Sequence, residues 1–132
     1  MPVLLYYHRA QFLVPGIPYC FTFLYSLGYT YLGCWIDTYM RAVPPIEGSD
    51  PRIRGDYQRR RNAINKCFQV AKKRNMVLFA LQHGGYCTAA RNFNGYMRYG
   101  KSDKCRNGKG GVWANDVYHI TSPKGIPVLN TN

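Results

Sequence analysis

Asp56-Tyr-Gln-Arg-Arg-Arg-Asn-Ala-Ile-Asn-Lys-Cys67-Phe-Gln-Val-Ala71-Lys-Lys-Arg-Asn75-Met76-Val-Leu-Phe-Ala-Leu-Gln82-His-Gly-Gly85-Tyr-Cys87 changes its hydrophobic period once, and the change decides the fold class. Before Asn75, the residues Ala63, Ile64, Cys67, Phe68 and Ala71 recur at helical spacing, while Arg59, Arg60, Arg61, Lys66, Lys72, Lys73 and Arg74 take the remaining positions. This spacing predicts one amphipathic helix with a basic outer face. Asp56 is its N-cap candidate, because a carboxylate there accepts the free N–H groups of a first turn. Met76 to Gln82 reads as a central strand covered on both faces, apolar on successive residues up to Leu81, and Gly84-Gly85 then turns it into Tyr86-Cys87. Upstream, Thr30 to Ile36 reads as a first strand, followed by a long loop through Pro44-Pro45 and Gly48 to Arg54. Downstream, Val117 to Ile120 reads as the closing strand. The expected class is α+β: a small disulfide-stabilised domain with one amphipathic helix packed on an antiparallel β-sheet.

The first 28 residues differ from the rest. No charge occurs between Arg9 and Asp37, and the stretch reads as a signal peptide or apolar leader: Arg9 ends a weakly basic segment, Phe21 to Leu24 supply an apolar core, and Ser26-x-Gly28 offers small residues for cleavage. Pro15 and Pro18 argue against a stable spanning helix. The expected organisation is a leader over 1–28, a domain over 29–121 and a loose tail over 122–132. Removal of the leader takes Cys20 with it and leaves Cys34, Cys67, Cys87 and Cys105. An even set of cysteines in so short a chain suits an oxidised domain, secreted or on the extracellular surface; spacing alone leaves the connectivity open.

Lys and Arg outnumber Asp and Glu by 18 to 6, and half of the basic residues fall between Arg52 and Arg74. Such an excess bears on partners rather than on fold, and it favours polyanions: sulfated or uronic glycans outside the cell, nucleic acid inside it. A helix carrying Arg59-Arg60-Arg61 and Lys72-Lys73-Arg74 has the charge to track phosphates, but no recognised nucleic-acid motif accompanies it.

The ordered set Gly33-Cys34-Trp35-x-Asp37, Arg41-Ala42, a helix carrying Cys67, Phe79-Ala-Leu-Gln-x-Gly-Gly-Tyr-Cys87, Gly110-Gly111 and Asn115-x-Val-Tyr118 resembles a WSC domain. That module recurs in secreted and surface proteins and is associated with carbohydrate binding. Members of the family carry further cysteines at the positions that Ala71 and Ala89 occupy here, so the chain is similar to a four-cysteine variant. The resemblance implies that the two missing cysteines were partners, that Cys67 pairs with Cys87, and that Cys34 pairs with Cys105.

Sugar recognition needs flat apolar faces for the C–H side of a pyranose and fixed polar groups for its hydroxyls. The Gly-rich stretch from Tyr86 to Trp113 supplies both types, and the expected carbohydrate-binding residues are Tyr86, Arg91, Asn92, Tyr96, Tyr99 and Trp113. Arg59, Arg60, Lys66 and Lys73 are the expected anion-binding residues of the helix. Trp35, beside Cys34, reads as a core residue. Other motifs are set aside. Gly95-Tyr-Met-Arg-Tyr-Gly100-Lys101-Ser102 matches the P-loop expression but lacks a buried parallel strand before it and a helix after it. Arg54-Gly55-Asp56 spells a short adhesion tripeptide whose Asp56 already has a capping task. No HExxH, GxSxG or CxxC spacing occurs, and Asp37, Glu47 and Asp50 show no calcium-loop spacing. The expectation is a non-catalytic protein without metal or cofactor, whose partners are glycans, sulfated or acidic ones included. The alternative is a structural or protein-interaction module that uses the basic helix face.

Overall fold

Strand β4, Leu78–Gln82, lies in the interior of the sheet, and all five of its residues are buried. This is a computed structural model, which describes residues 28–121 and, before them, two paired strand backbones, β1 (Leu5–Ala10) and β2 (Phe21–Ser26). Most of the expected leader, Cys20 and the expected tail over 122–132 lie outside the described residues. The main sheet adds β3 (Tyr29–Ile36), β5 (Tyr86–Ala90) and β6 (Ala114–Ile120) in the order β3-β6-β4-β5, with every neighbouring pair antiparallel. Helix α1, Ala63–Lys73, packs on one face. The domain is α+β, as its hydrophobic periods imply, and two disulfides cross-link it.

The unbroken apolar run of β4 follows from its position. Phe79 and Leu81 join Phe68, Val70 and Ala71 of α1 beneath the helix, whereas Leu78 and Ala80 join Val43 and Val117 on the opposite face. Phe79 stacks on Tyr118 of β6 with ring centres 4.9 Å apart, and Tyr29 meets Phe68, Phe79 and Tyr118 edge-on. Aromatic rings thus supply much of the core beneath the helix, beside aliphatic Ile53, Val70 and Leu81. The opposite face has no helix and is covered instead by loop residues and by Trp35 and Tyr96. A bulge in β3 between Tyr31 and Gly33 resets its register so that Tyr31 faces the helical side while Leu32 and Trp35 face the other.

The disulfides are Cys34–Cys105 and Cys67–Cys87. The second pins α1 to β5 inside the core, where both cysteines are fully buried. The first ties β3 to the loop before β6.

Several boundaries move. The helix starts later than expected: the Asp56 carboxylate accepts from the Gln58 N–H at 3.1 Å and caps a short 3₁₀ turn over Tyr57–Arg59, and α1 follows only after Asn62, which sits at φ 53°. Arg60 is the physical reason. Its guanidinium is buried and held by both Glu47 oxygens, by the Gly85 carbonyl at 3.0 Å and by the Arg54 carbonyl at 3.3 Å, so the chain before α1 follows that anchor rather than a helix axis. The closing strand begins at Ala114, earlier than expected, and occupies the sheet interior. Residues after Gly85, read from the sequence as the far side of a turn, form β5, with Thr88 fully buried. Residues 91–99 then make bends and turns, so no helix follows β5 and the Gly95–Ser102 motif has no phosphate-loop geometry.

Chain entropy predicts different costs for the two cross-links. Replacing Cys67 and Cys87 by alanine costs about 3 kcal/mol and replacing Cys34 and Cys105 about 4 kcal/mol, because the second pair closes the longer loop, 71 residues against 20; urea unfolding of each double variant measures both. The tyrosines predict an alkaline limit. Burial, then a 2.5 Å hydrogen bond to Asp116, holds the Tyr31 hydroxyl well above the usual tyrosine value of 10.0, and burial does the same for Tyr118. A raised folded value means that the folded state keeps its proton while the unfolded chain loses it, so this stability is complete below pH 10.0 and declines above it. Tyr31→Phe flattens that decline in denaturation measured from pH 9 upward, roughly where free tyrosine begins to ionise.

Candidate functional site: an aromatic cleft around Arg41

Antiparallel register places four side chains in one row across the sheet face that carries no helix: Trp35 of β3 opposite Asn115 of β6, Asn115 opposite Gln82 of β4, and Gln82 opposite Tyr86 of β5. Gln82 is the polar end of an otherwise apolar strand, and it is buried. The Asn115 amide is fully buried and has no hydrogen-bond partner among the described residues.

The segment after β3 crosses this row. Asp37, 2% exposed, accepts from Arg41 Nε at 2.7 Å, from the Ala42 N–H at 2.8 Å and from Gln82 Nε2 at 3.3 Å. Gln82 Oε1 accepts from Arg41 Nη2 at 2.6 Å. Carboxylate and amide together hold the guanidinium in one orientation. Its carbon stands 5.2 Å from the Tyr86 ring centre and 5.8 Å from that of Trp113, which places the cation beside both aromatic rings.

Trp113 is 50% exposed, and its backbone sits at φ 51° while its carbonyl accepts from the Asp37 N–H at 2.9 Å. Across the cleft His83 has φ 49°. Left-handed backbone at non-glycine residues is costly and persists where surrounding contacts impose it, and here two such residues line one cleft. Tyr57 and Val112 complete a wall around a volume of about 350 Å³. Tyr57 meets Tyr86 edge-on at 5.2 Å. It reaches that position because Gly85 lets the chain pass: a Cβ on Gly85 would lie 2.2 Å from the Tyr57 carbonyl oxygen. The Gln58 amide contacts the His83 ring at 3.0 Å.

A second cleft, about 430 Å³, also has Arg41 in its wall. Val43, Leu78 and Ala90 line it, and Arg91, Asn92 and Arg98 belong to its boundary together with Tyr96.

The expected carbohydrate residues divide accordingly. Tyr86 and Trp113 line the first cleft; Arg91, Asn92 and Tyr96 line the second. Tyr99 lines neither, and its hydroxyl donates to the Met40 carbonyl at 2.5 Å. Tyr96 also packs edge-on against Trp35 at 5.5 Å, and Trp35 donates its Nε1–H to the Leu32 carbonyl at 3.0 Å in a packing role. Of the expected anion-binding residues, Arg59 and Lys73 are exposed and Lys66 is half-buried. Arg60 is corrected: buried and paired with Glu47, it offers no charge to an external ligand.

Sequence reading missed Arg41, Tyr57, Gln82 and His83 as site residues. Two signals pointed to them. Asp37 and Arg41 are opposite charges four residues apart, and Gln82-His83 is a polar pair ending the most apolar strand of the chain. Among the described residues, the one close group of metal-ligand types is Cys34, Cys105 and Asp116, and its two sulfurs are joined in the disulfide. No helix among the described residues is long and apolar enough to cross a membrane. No protein-family model, curated protein or solved structure matches the chain.

Asp37→Ala tests the bracing. It leaves the Arg41 guanidinium, the Ala42 N–H and the Gln82 amide without their shared acceptor, and the expected loss is about 2–4 kcal/mol in urea unfolding. Arg41→Ala costs less, because its side chain is 21% exposed and water can replace it at the Asp37 carboxylate.

Proposed function

We propose that this protein is a non-catalytic carbohydrate-binding module of the extracellular space, and that its site is the cleft around Arg41. The observation that carries this reading is the pair of Tyr86 and Trp113 rings beside a guanidinium that Asp37 and Gln82 hold in place. Aromatic faces suit the C–H side of a pyranose, and donors whose positions are already set lose little entropy when a sugar hydroxyl replaces water. Arg41 Nη1 has no hydrogen bond among the described residues and is the donor available to such a hydroxyl. The similarity to WSC domains points to the same class of ligand. Two disulfides suit the oxidising compartment in which extracellular glycans occur.

Local charge separates this site from the helix. Asp37 neutralises Arg41 at the cleft, whereas Arg61 and Lys73 are exposed on or next to α1. The helix face therefore contributes long-range attraction to acidic glycans or acidic proteins, and that attraction is screened by salt.

A glycan array probed with the oxidised protein at two salt concentrations, alongside Trp113→Ala, tests the reading. Saturable binding that survives raised salt and weakens about tenfold or more in the variant is the expected result, the loss of one exposed stacking ring being of that order. Binding restricted to sulfated glycans, abolished by salt and indifferent to Trp113, supports the basic-face interaction module instead.

A further inference from the structure

The second cleft is left unused by a single sugar stacked on Trp113, and its composition differs from that of the first. Its floor is apolar, formed by Val43, Leu78 and Ala90. Its boundary carries two cations, Arg91 and Arg98, neither of which has an ion-pair partner among the described residues. Unpaired cations are common among the described residues; these two are set apart by bordering one cleft. Four of the six acidic residues are spent on Arg41, Arg52, Arg59 and Arg60, and a fifth, Asp116, is buried between Tyr31 and the Gly110 N–H.

The two clefts are neighbours by construction. Arg41 lines both, and the two ends of β5 mark them: Tyr86, its first residue, lines one, and Ala90, its last, lines the other, with Thr88 buried between. At the rise of an antiparallel strand these residues stand about 13 Å apart, the reach of a short oligosaccharide rather than of one ring. Arg98 is oriented by Tyr99, with its guanidinium carbon 5.6 Å from that ring centre.

We propose that the two clefts form one groove for an extended acidic oligosaccharide. A ring without charge stacks on the exposed part of Trp113, the chain passes Arg41, and an anionic substituent further along, carboxylate or sulfate, meets Arg91 and Arg98. This rests on the carbohydrate reading of the first cleft and adds a ligand length, a direction along β5 and a location for the charge.

Calorimetric titration of the oxidised full-length chain with size-defined oligosaccharides tests it. Neutral, uronic and sulfated series are compared at matched lengths, from disaccharide to hexasaccharide. The expected result is an affinity that rises about tenfold between disaccharide and tetrasaccharide in an acidic series, with tetrasaccharides of that series preferred about tenfold over neutral ones. Comparison of the uronic and sulfated arms identifies which anion Arg91 and Arg98 take. The double variant Arg91→Gln/Arg98→Gln removes the acidic preference and leaves neutral binding, which Trp113→Ala weakens. Affinity independent of length, or an acidic preference unchanged in the double variant, overturns the groove while leaving the carbohydrate reading intact. Absence of binding across all three series overturns both. Thermal unfolding of the double variant, expected to match the parent because Arg91 and Arg98 are exposed, separates lost binding from lost folding.

Discussion

The last strand of the domain lies in the middle of its sheet. β6 hydrogen-bonds to β3, the first strand of that sheet, on one side and to β4 on the other. Until it inserts, neither β3 nor the pair β4–β5 has a complete ladder, and the row Trp35–Asn115–Gln82–Tyr86 does not exist. The loop that delivers β6 is built for close approach. Gly110 has φ 73°, and a Cβ there would lie 2.2 Å from the Leu81 carbonyl oxygen and 2.6 Å from that of Ala114, so only glycine fits. Asp116 then accepts from the Gly110 N–H at 2.8 Å and from the Tyr31 hydroxyl, tying loop, β6 and β3 together. The Cys34–Cys105 bridge joins β3 to that same loop covalently.

Stability and site share one set of contacts. Asp37 is a buried carboxylate whose three partners are the Arg41 guanidinium, a backbone N–H of the covering loop and the Gln82 amide. A charge so placed is tolerable because both carboxylate oxygens find donors, one of them a guanidinium. Arg41 is thereby fixed beside Tyr86 and Trp113, and the aromatic cleft is a by-product of satisfying the buried group. Glu47 works similarly on the helical side. It accepts from Arg60 and from the Cys87 N–H at 2.9 Å, and so anchors the loop before α1 to β5. These two acidic residues serve architecture, each taking one arginine with it, and the basic surface follows from the excess of 18 Lys and Arg over 6 Asp and Glu.

Much of the fold is legible in the residues themselves. Ala63, Cys67, Phe68 and Ala71 are buried along one side of α1, as their spacing requires, and the unbroken run Leu78–Leu81 marks the strand covered on both faces. The cysteine pairing followed from the resemblance to WSC domains, since spacing alone left it open. Tyr86, Arg91, Asn92, Tyr96 and Trp113 do line clefts, because a glycine-rich stretch cannot bury all of its rings and amides.

What the sequence by itself determined is therefore whatever a local period records: helix, central strand, basic excess and the residue types available for binding. Tertiary structure decided how those types meet. Arg60 and Arg59 are adjacent and look alike, yet one is buried against Glu47 and the other is exposed, because their fates depend on a carboxylate in the preceding loop. Asp56 caps a 3₁₀ turn and not the helix for the same reason. Arg41, Tyr57, the Gln82–Tyr86 hairpin pair and Trp113 come from separate parts of the chain and converge only in the assembled sheet. Periodicity reports the average environment of one element; the identity of a long-range neighbour depends on register, and register is a property of the assembled sheet.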